Sequence, residues 1–132
     1  MNAQSPCPCA GDDEKLAARY KNCCGRWLDT STPAPLAQAL MRSRYTAFVL
    51  ERADYLLATW HSGHRPPSIQ FEPGVKWLGL DVRSHRLTGA TTAEVEFVAR
   101  QKPAIGRAVR LYERSRFVLE EGRWMYVDGD AL

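Results

Sequence analysis

Between Leu36 and Trp60 apolar residues recur every three or four positions, whereas from Val75 onward they alternate with polar ones. The first period belongs to a helix with one buried face and the second to strands with one buried face. Leu36, Leu40, Met41, Tyr45, Phe48 and Val49 define one face of an amphipathic helix of about four turns. A shorter helix is expected over Ala53 to Trp60, ended by Ser62-Gly63-His64-Arg65-Pro66-Pro67. Strands are expected at Val75 to Val82, Thr92 to Gln101, Ala108 to Glu120 and Arg123 to Asp128, with turns at Ser84 to Gly89, Pro103 to Gly106 and Glu121-Gly122. Helices followed by a run of antiparallel strands predict an α+β fold, with the sheet wrapped over the helices.

Alternation assigns the faces of the third strand. Leu111, Glu113, Ser115, Phe117 and Leu119 point one way, and Arg110, Tyr112, Arg114, Arg116 and Val118 the other. If Phe117 faces the helices, Glu113 and Ser115 face them too, and a carboxylate there needs a partner or the mouth of a cavity. Arg42 or Arg44 can supply a structural ion pair; a ligand site is the alternative. His61, beside Trp60, is the polar candidate for the same cavity as acid, base or ligand, against the plainer reading of a packed histidine. His61 and His64 have the spacing of a helical metal pair, but Gly63 between them argues for a turn. His85 is expected in a solvated turn, and Trp77, Phe97, Trp124 and Tyr126 are expected mostly to fill the core. On the outer face Arg110, Arg114 and Arg116, with Arg100, Lys102 and Arg107 nearby, form a basic patch. It is either an ordinary solvent face or a surface for an acidic protein or an RNA backbone.

At 132 residues, 45% hydrophobic and 25% charged, the chain builds one core. No apolar run approaches the roughly 20 residues of a membrane span. The net charge of +3 permits an acidic partner without demanding nucleic acid, and no specific DNA binding is expected. Met1 to Pro6 has neither a basic nor an apolar signal region, so a cytoplasmic location is expected.

The cysteines change the picture most. All four lie in the first 24 residues, as Cys7-Pro8-Cys9 and Cys23-Cys24. In a reducing compartment such a cluster favours metal ligation, and four thiolates suit tetrahedral zinc with no position left open for catalysis. A redox pair or two buried small hydrophobes are the alternatives. Thr30-Ser31-Thr32-Pro33-Ala34-Pro35 is the linker-like stretch, which divides the chain into a zinc-binding segment, 1–30, and an α+β domain, 31–132.

The run Cys7-Pro8-Cys9-Ala10-Gly11 with Tyr20-Lys21-Asn22-Cys23-Cys24-Gly25 resembles the zinc motif at the C-terminus of the SecA translocation ATPase. The motif's Gly-Ser-Gly turn is missing and the Cys9 to Cys23 spacing is longer. The extra residues, roughly Asp12 to Ala18, are expected to add a helical turn without moving the cysteines apart. Further blocks follow in order: Leu40 to Phe48, Asp54-Tyr55-Leu56, Thr59-Trp60-His61, Glu113 to Phe117 and Gly122 to Gly129. With them the chain resembles the YchJ family of bacterial proteins of unknown function. The resemblance implies a zinc-binding N-terminus, through Cys7, Cys9, Cys23 and Cys24, on a domain similar to nuclear transport factor 2, a cone of helices on a curved sheet enclosing a pocket. It implies no established activity.

Three functional readings follow. The favoured one is a zinc-clamped adaptor that docks onto a protein or the ribosome through the zinc segment and the basic face. The second is a small-molecule enzyme using the pocket, with His61 and Glu113 as acid–base pair. The third is a ligand-binding module without chemistry.

Overall fold

The computed structural model describes residues 2–10 and 18–132. Tight 3-10 turns at Pro8–Ala10 and Tyr20–Asn22 carry the first part of the chain. Helices α1 (Gly25–Leu28), α2 (Ala37–Val49) and α3 (Ala53–Ala58) follow. Four strands then form an antiparallel meander in sequence order: β1 (Lys76–Leu87), β2 (Thr92–Lys102), β3 (Val109–Glu120) and β4 (Arg123–Ala131). The architecture is the expected α+β one, helices packed on an antiparallel sheet. Register shifts at Trp77/Gly79, Val82/Ser84 and Arg116/Phe117 are the places where such a sheet bends and twists. Among the described residues no helix is long and apolar enough to cross a membrane.

Strand β1 runs further than its pattern predicts. Ser84, His85, Arg86 and Leu87 pair with Glu96, Val95, Glu94 and Ala93, so His85 is an exposed strand residue and not part of a turn. The irregularity after Val82 shifts the alternation by one residue, and this hides the strand's second half from a period-two reading. The hairpin closes where Thr88 donates its backbone N–H to the Thr92 carbonyl, at 2.9 Å.

Helix α2 is the main surprise of the packing. Leu40, Met41 and Tyr45 are buried as the pattern requires, but so are Ser43, Arg44, Thr46 and Ala47, and Ser43, Thr46 and Ala47 have no exposed surface at all. Leu36, expected on the buried face, instead precedes the helix and is 61% exposed. The helix is enclosed on two sides, by the sheet and by the cysteine segment. Cys7, Cys9, Tyr20, Cys24 and Leu28 thus belong to the same core cluster as Leu40, Leu56, Val95, Phe97, Phe117 and Trp124.

On the outer face of the sheet part of the expected positive charge, at Arg114 and Arg116, is paired with acids. Arg114 pairs with Glu96 at 2.7 Å, and Arg86 pairs with Glu94 at 2.9 Å. Arg116 pairs with Asp128 and Asp130, each at 2.6 Å. Antiparallel register places Arg114 opposite Glu96 and Arg116 opposite Asp128, which reading one strand by itself cannot show. Exposed pairs of this kind add little stability, but they offset the charge of Arg114 and Arg116, while further along the same face Arg110 stands opposite Arg100.

Candidate metal centre and cavity

Two short stretches of backbone bring the cysteines together. The Ser5 carbonyl accepts the Tyr20 N–H at 2.8 Å and Cys7 donates its N–H to the Ala18 carbonyl at 2.9 Å, so the chain on either side of 11–17 runs antiparallel. This pairing holds the two halves of the motif side by side, and the longer spacing between Cys9 and Cys23 therefore leaves the cysteines adjacent. The expected extra helical turn falls largely on residues outside those described. The tight turns then aim the thiols inward, and the Tyr20 carbonyl accepts the Cys23 N–H at 3.0 Å. Gly25 lies against this turn: a Cβ there would sit 2.7 Å from the Tyr20 carbonyl oxygen and 3.0 Å from its ring, so only glycine fits.

All four Sγ atoms lie within 4.8 Å of one another, and Cys9 and Cys23 are 3.5 Å apart with no disulfide among them. A tetrahedral thiolate cage with metal–sulfur bonds near 2.3 Å has sulfur–sulfur edges of about 3.8 Å, so this donor set fits a metal ion. Cys7, Cys9 and Cys24 are buried and Cys23 is partly exposed. The thiols share protons as a group. Cys7 is held below an ordinary thiol, chiefly by its hydrogen bond with Cys23, and Cys23 is lowered to about 7, chiefly by Cys24. Cys9 and Cys24 are pushed up, each chiefly by its contact with Cys23. Cys7, Cys9, Cys23 and Cys24 would hold a metal here as thiolates, their shared protons released on binding.

Helix α2 supplies the surroundings of the ligands. The Thr46 hydroxyl donates to Cys24 Sγ at 3.3 Å and lies 3.8 Å from Cys7 Sγ. Arg42 Nη1 donates to the Cys9 carbonyl at 2.9 Å, and Arg26 Nε donates to the Cys23 carbonyl at the same distance. Two guanidinium groups beside the ligand backbone oppose the negative charge that four thiolates build up. The sequence reading missed Thr46, because a threonine inside a helix carries no pattern that marks it as a partner of a distant cysteine.

A cavity of about 220 Å³ lies between α2 and the sheet, with Glu113 and Ser115 in its wall as the alternation predicts. Ser115 donates its hydroxyl to Glu113 Oε2 at 2.6 Å. Gly129, across from Ser115 on β4, leaves room for that carboxylate, since a Cβ there would lie 2.5 Å from Glu113 Oε2. Neither arginine offered for Glu113 forms an ion pair with it. Arg42 turns to the cysteine segment, and Arg44 Nη1 donates to the Leu56 carbonyl at 2.8 Å and the Thr59 hydroxyl at 2.7 Å. Burial pushes the Arg44 guanidinium down to about 10, partly offset by Tyr126, Tyr55 and Glu113.

His61 does not share this cavity. Its Nδ1 accepts the Gly63 N–H at 3.1 Å, which makes Nε2 the donor of the neutral ring, and Nε2 lies 2.8 Å from Glu120. The His61 N–H goes to the Tyr126 carbonyl at 2.7 Å, which ties the end of α3 to β4 and turns the imidazole toward a separate surface hollow with Thr92 and Arg116. The structure therefore does not bring His61 and Glu113 together as an acid–base pair. His64 lies beside His61, with ring centroids 5.8 Å apart and the planes tilted at 57°, and among the described residues the four cysteines are the only group of three or more metal-ligating side chains close enough to hold an ion.

Comparison with known proteins matches residues 36–129 to the family model described as YchJ, middle NTF2-like domain. A UPF0225 protein of Polaromonas sp. is 67% identical over 95% of this chain and 92% of its own length. One from Bordetella pertussis is 51% identical, over 98% and 96%. Among solved structures, a SEC-C motif containing protein from Rhodopseudomonas palustris superposes with a TM-score of 0.80 at 30% identity, covering 96% of this chain and 98% of that one. A SEC-C motif containing protein from Psychrobacter arcticus has a TM-score of 0.75 at 25% identity, over 96% and 82%.

Proposed function

The chain belongs to the YchJ family, and we propose that its N-terminal segment is a zinc-clamped docking module held on the α+β domain by α2. The observation that carries this reading is the two-sidedness of the segment. Its inner side directs four thiols to one point, while the same short turns present Arg19, Lys21 and Arg26 on the exposed side. Cys7, Cys9, Cys23 and Cys24 would hold zinc, which supplies a structural crosslink with no open coordination position. A crosslinked backbone loses less freedom on binding than a flexible one, so docking costs less. Arg26 already stacks on Trp27, its guanidinium carbon 4.6 Å from the ring centre, which adds a flat amphipathic surface beside the charges. The partner that fits is an acidic macromolecular surface, of a protein or a ribosome.

The pairing of Arg114 and Arg116 with acids favours the cysteine segment over that part of the sheet as the docking surface. Binding to purified ribosomes and to an immobilised acidic protein, at low and at high salt, tests this. Arg19→Glu/Lys21→Glu and Cys9→Ser are expected to weaken binding at least tenfold, and high salt should weaken it further. Arg114→Glu/Arg116→Glu, which alters arginines already paired, should leave it within about threefold. Binding that ignores both the cysteine and the Arg19/Lys21 variants would remove the docking reading.

A further inference from the structure

The cavity behind α2 holds a charge whose burial the fold leaves without a counter-ion in contact. Arg44 is 4% exposed, yet its protein partners are neutral: the Leu56 carbonyl, the Thr59 hydroxyl, and the rings of Tyr126 and Trp60, 4.5 and 5.1 Å from its guanidinium carbon. It hydrogen-bonds through Nη1 alone. Among the described residues no buried side-chain nitrogen is left without a partner, so Nε and Nη2 are not sealed off and remain within reach of water. The wall around Arg44 is aromatic, formed by Tyr45, Trp77, Phe97 and Tyr126, and the polar groups facing it are Glu113 and Ser115.

We propose that this cavity is a binding site for a small monocarboxylate with a single apolar ring, whose carboxylate accepts hydrogen bonds from Arg44 and whose ring lies among these aromatic side chains. A planar guanidinium matches a carboxylate with two parallel donors, and the match is stronger where water is excluded. At about 220 Å³ the space is smaller than the roughly 300–1,000 Å³ of a pocket for a drug-sized ligand, so a single ring fits. Glu113 sets the charge limit. Its carboxylate repels a second negative group, which excludes dianions. Ser115 holds that carboxylate in place.

Benzoate and its neutral counterpart benzamide are the probes, added to the full chain and followed by amide and indole NMR shifts. Benzoate should give saturable shifts at Ser115, Tyr126 and the Trp60 indole, and benzamide should bind at least tenfold more weakly. Arg44→Met should lower benzoate affinity at least tenfold. The protein is expected to survive that change, because methionine keeps the apolar packing and the loss is of two hydrogen bonds, with the Thr59 hydroxyl still 3.4 Å from the Leu56 carbonyl. Should the variant not fold, Glu113→Gln decides separately: it keeps an acceptor for Ser115 and removes the like charge, so benzoate should bind severalfold more tightly and benzamide unchanged. Absence of saturable benzoate shifts at these positions, equal binding of the two probes, or a benzoate affinity indifferent to Glu113→Gln would overturn the proposal and leave Arg44 as a latch between α2 and α3.

Discussion

A Cys24→Ser chain is expected to lose its metal and about 3 kcal/mol or more of stability, while the helices and sheet from residue 36 onward still fold. The size follows from what the metal holds in place. Without it the segment is tied to the rest of the chain mainly by hydrogen bonds from Arg42 to the Cys9 carbonyl and from Arg52 to the Leu28 carbonyl, and Tyr20 and Leu28, 6% and 5% exposed, lose cover worth about 1.5–3 kcal/mol for a large apolar side chain. The back of α2, with Ser43, Thr46 and Ala47 wholly buried, would then face water. The four-stranded sheet is paired strand to strand without any cysteine, and Val95 and Phe117 lie on it, which is why the rest is expected to survive. Urea unfolding of wild type and variant, followed by tryptophan fluorescence, measures the effect. An unchanged midpoint would mean that the cysteine segment does not brace the helix.

Thr46→Val is expected to weaken metal binding about 10–100-fold, the usual effect of removing a hydrogen bond to a metal ligand. Valine keeps the shape of threonine and removes the hydroxyl that donates to Cys24 Sγ. Competition with a chromogenic chelator reads the affinity, and the far-ultraviolet circular dichroism should stay the same. If the affinity is also the same, the hydroxyl is packing filler and α2 does not tune the centre.

How much of this was legible in the sequence depends on whether the signal is local. The grouping of the cysteines, the order of helices before strands, and the placing of Glu113, Ser115 and Phe117 on one face of β3 all rest on spacing along one element, and spacing survives folding. Features that depend on a second element were not legible. The burial of Ser43 and Thr46 needs the cysteine segment behind α2, and the neutralisation of Arg114 and Arg116 needs the register of β2 and β4. The end of β1 was lost at an irregularity that reverses the alternation. His61 sits near the pocket in sequence terms, but its backbone bridge to Tyr126 turns the ring away. Arg44 was legible only as one of two arginines that could meet Glu113; its place among aromatic rings and neutral acceptors depends on where α3 ends.

The central claim is that the four thiols form one metal centre that is part of the fold. Metal content of protein purified without added metal, combined with the reactivity of its thiols, tests it most directly. The account predicts one zinc per chain, with all four cysteines slow to react until a chelator is added and then reacting together as the N-terminal segment unfolds. Reduced, folded, metal-free protein whose N-terminal amides remain protected and whose thiols react one by one would contradict it.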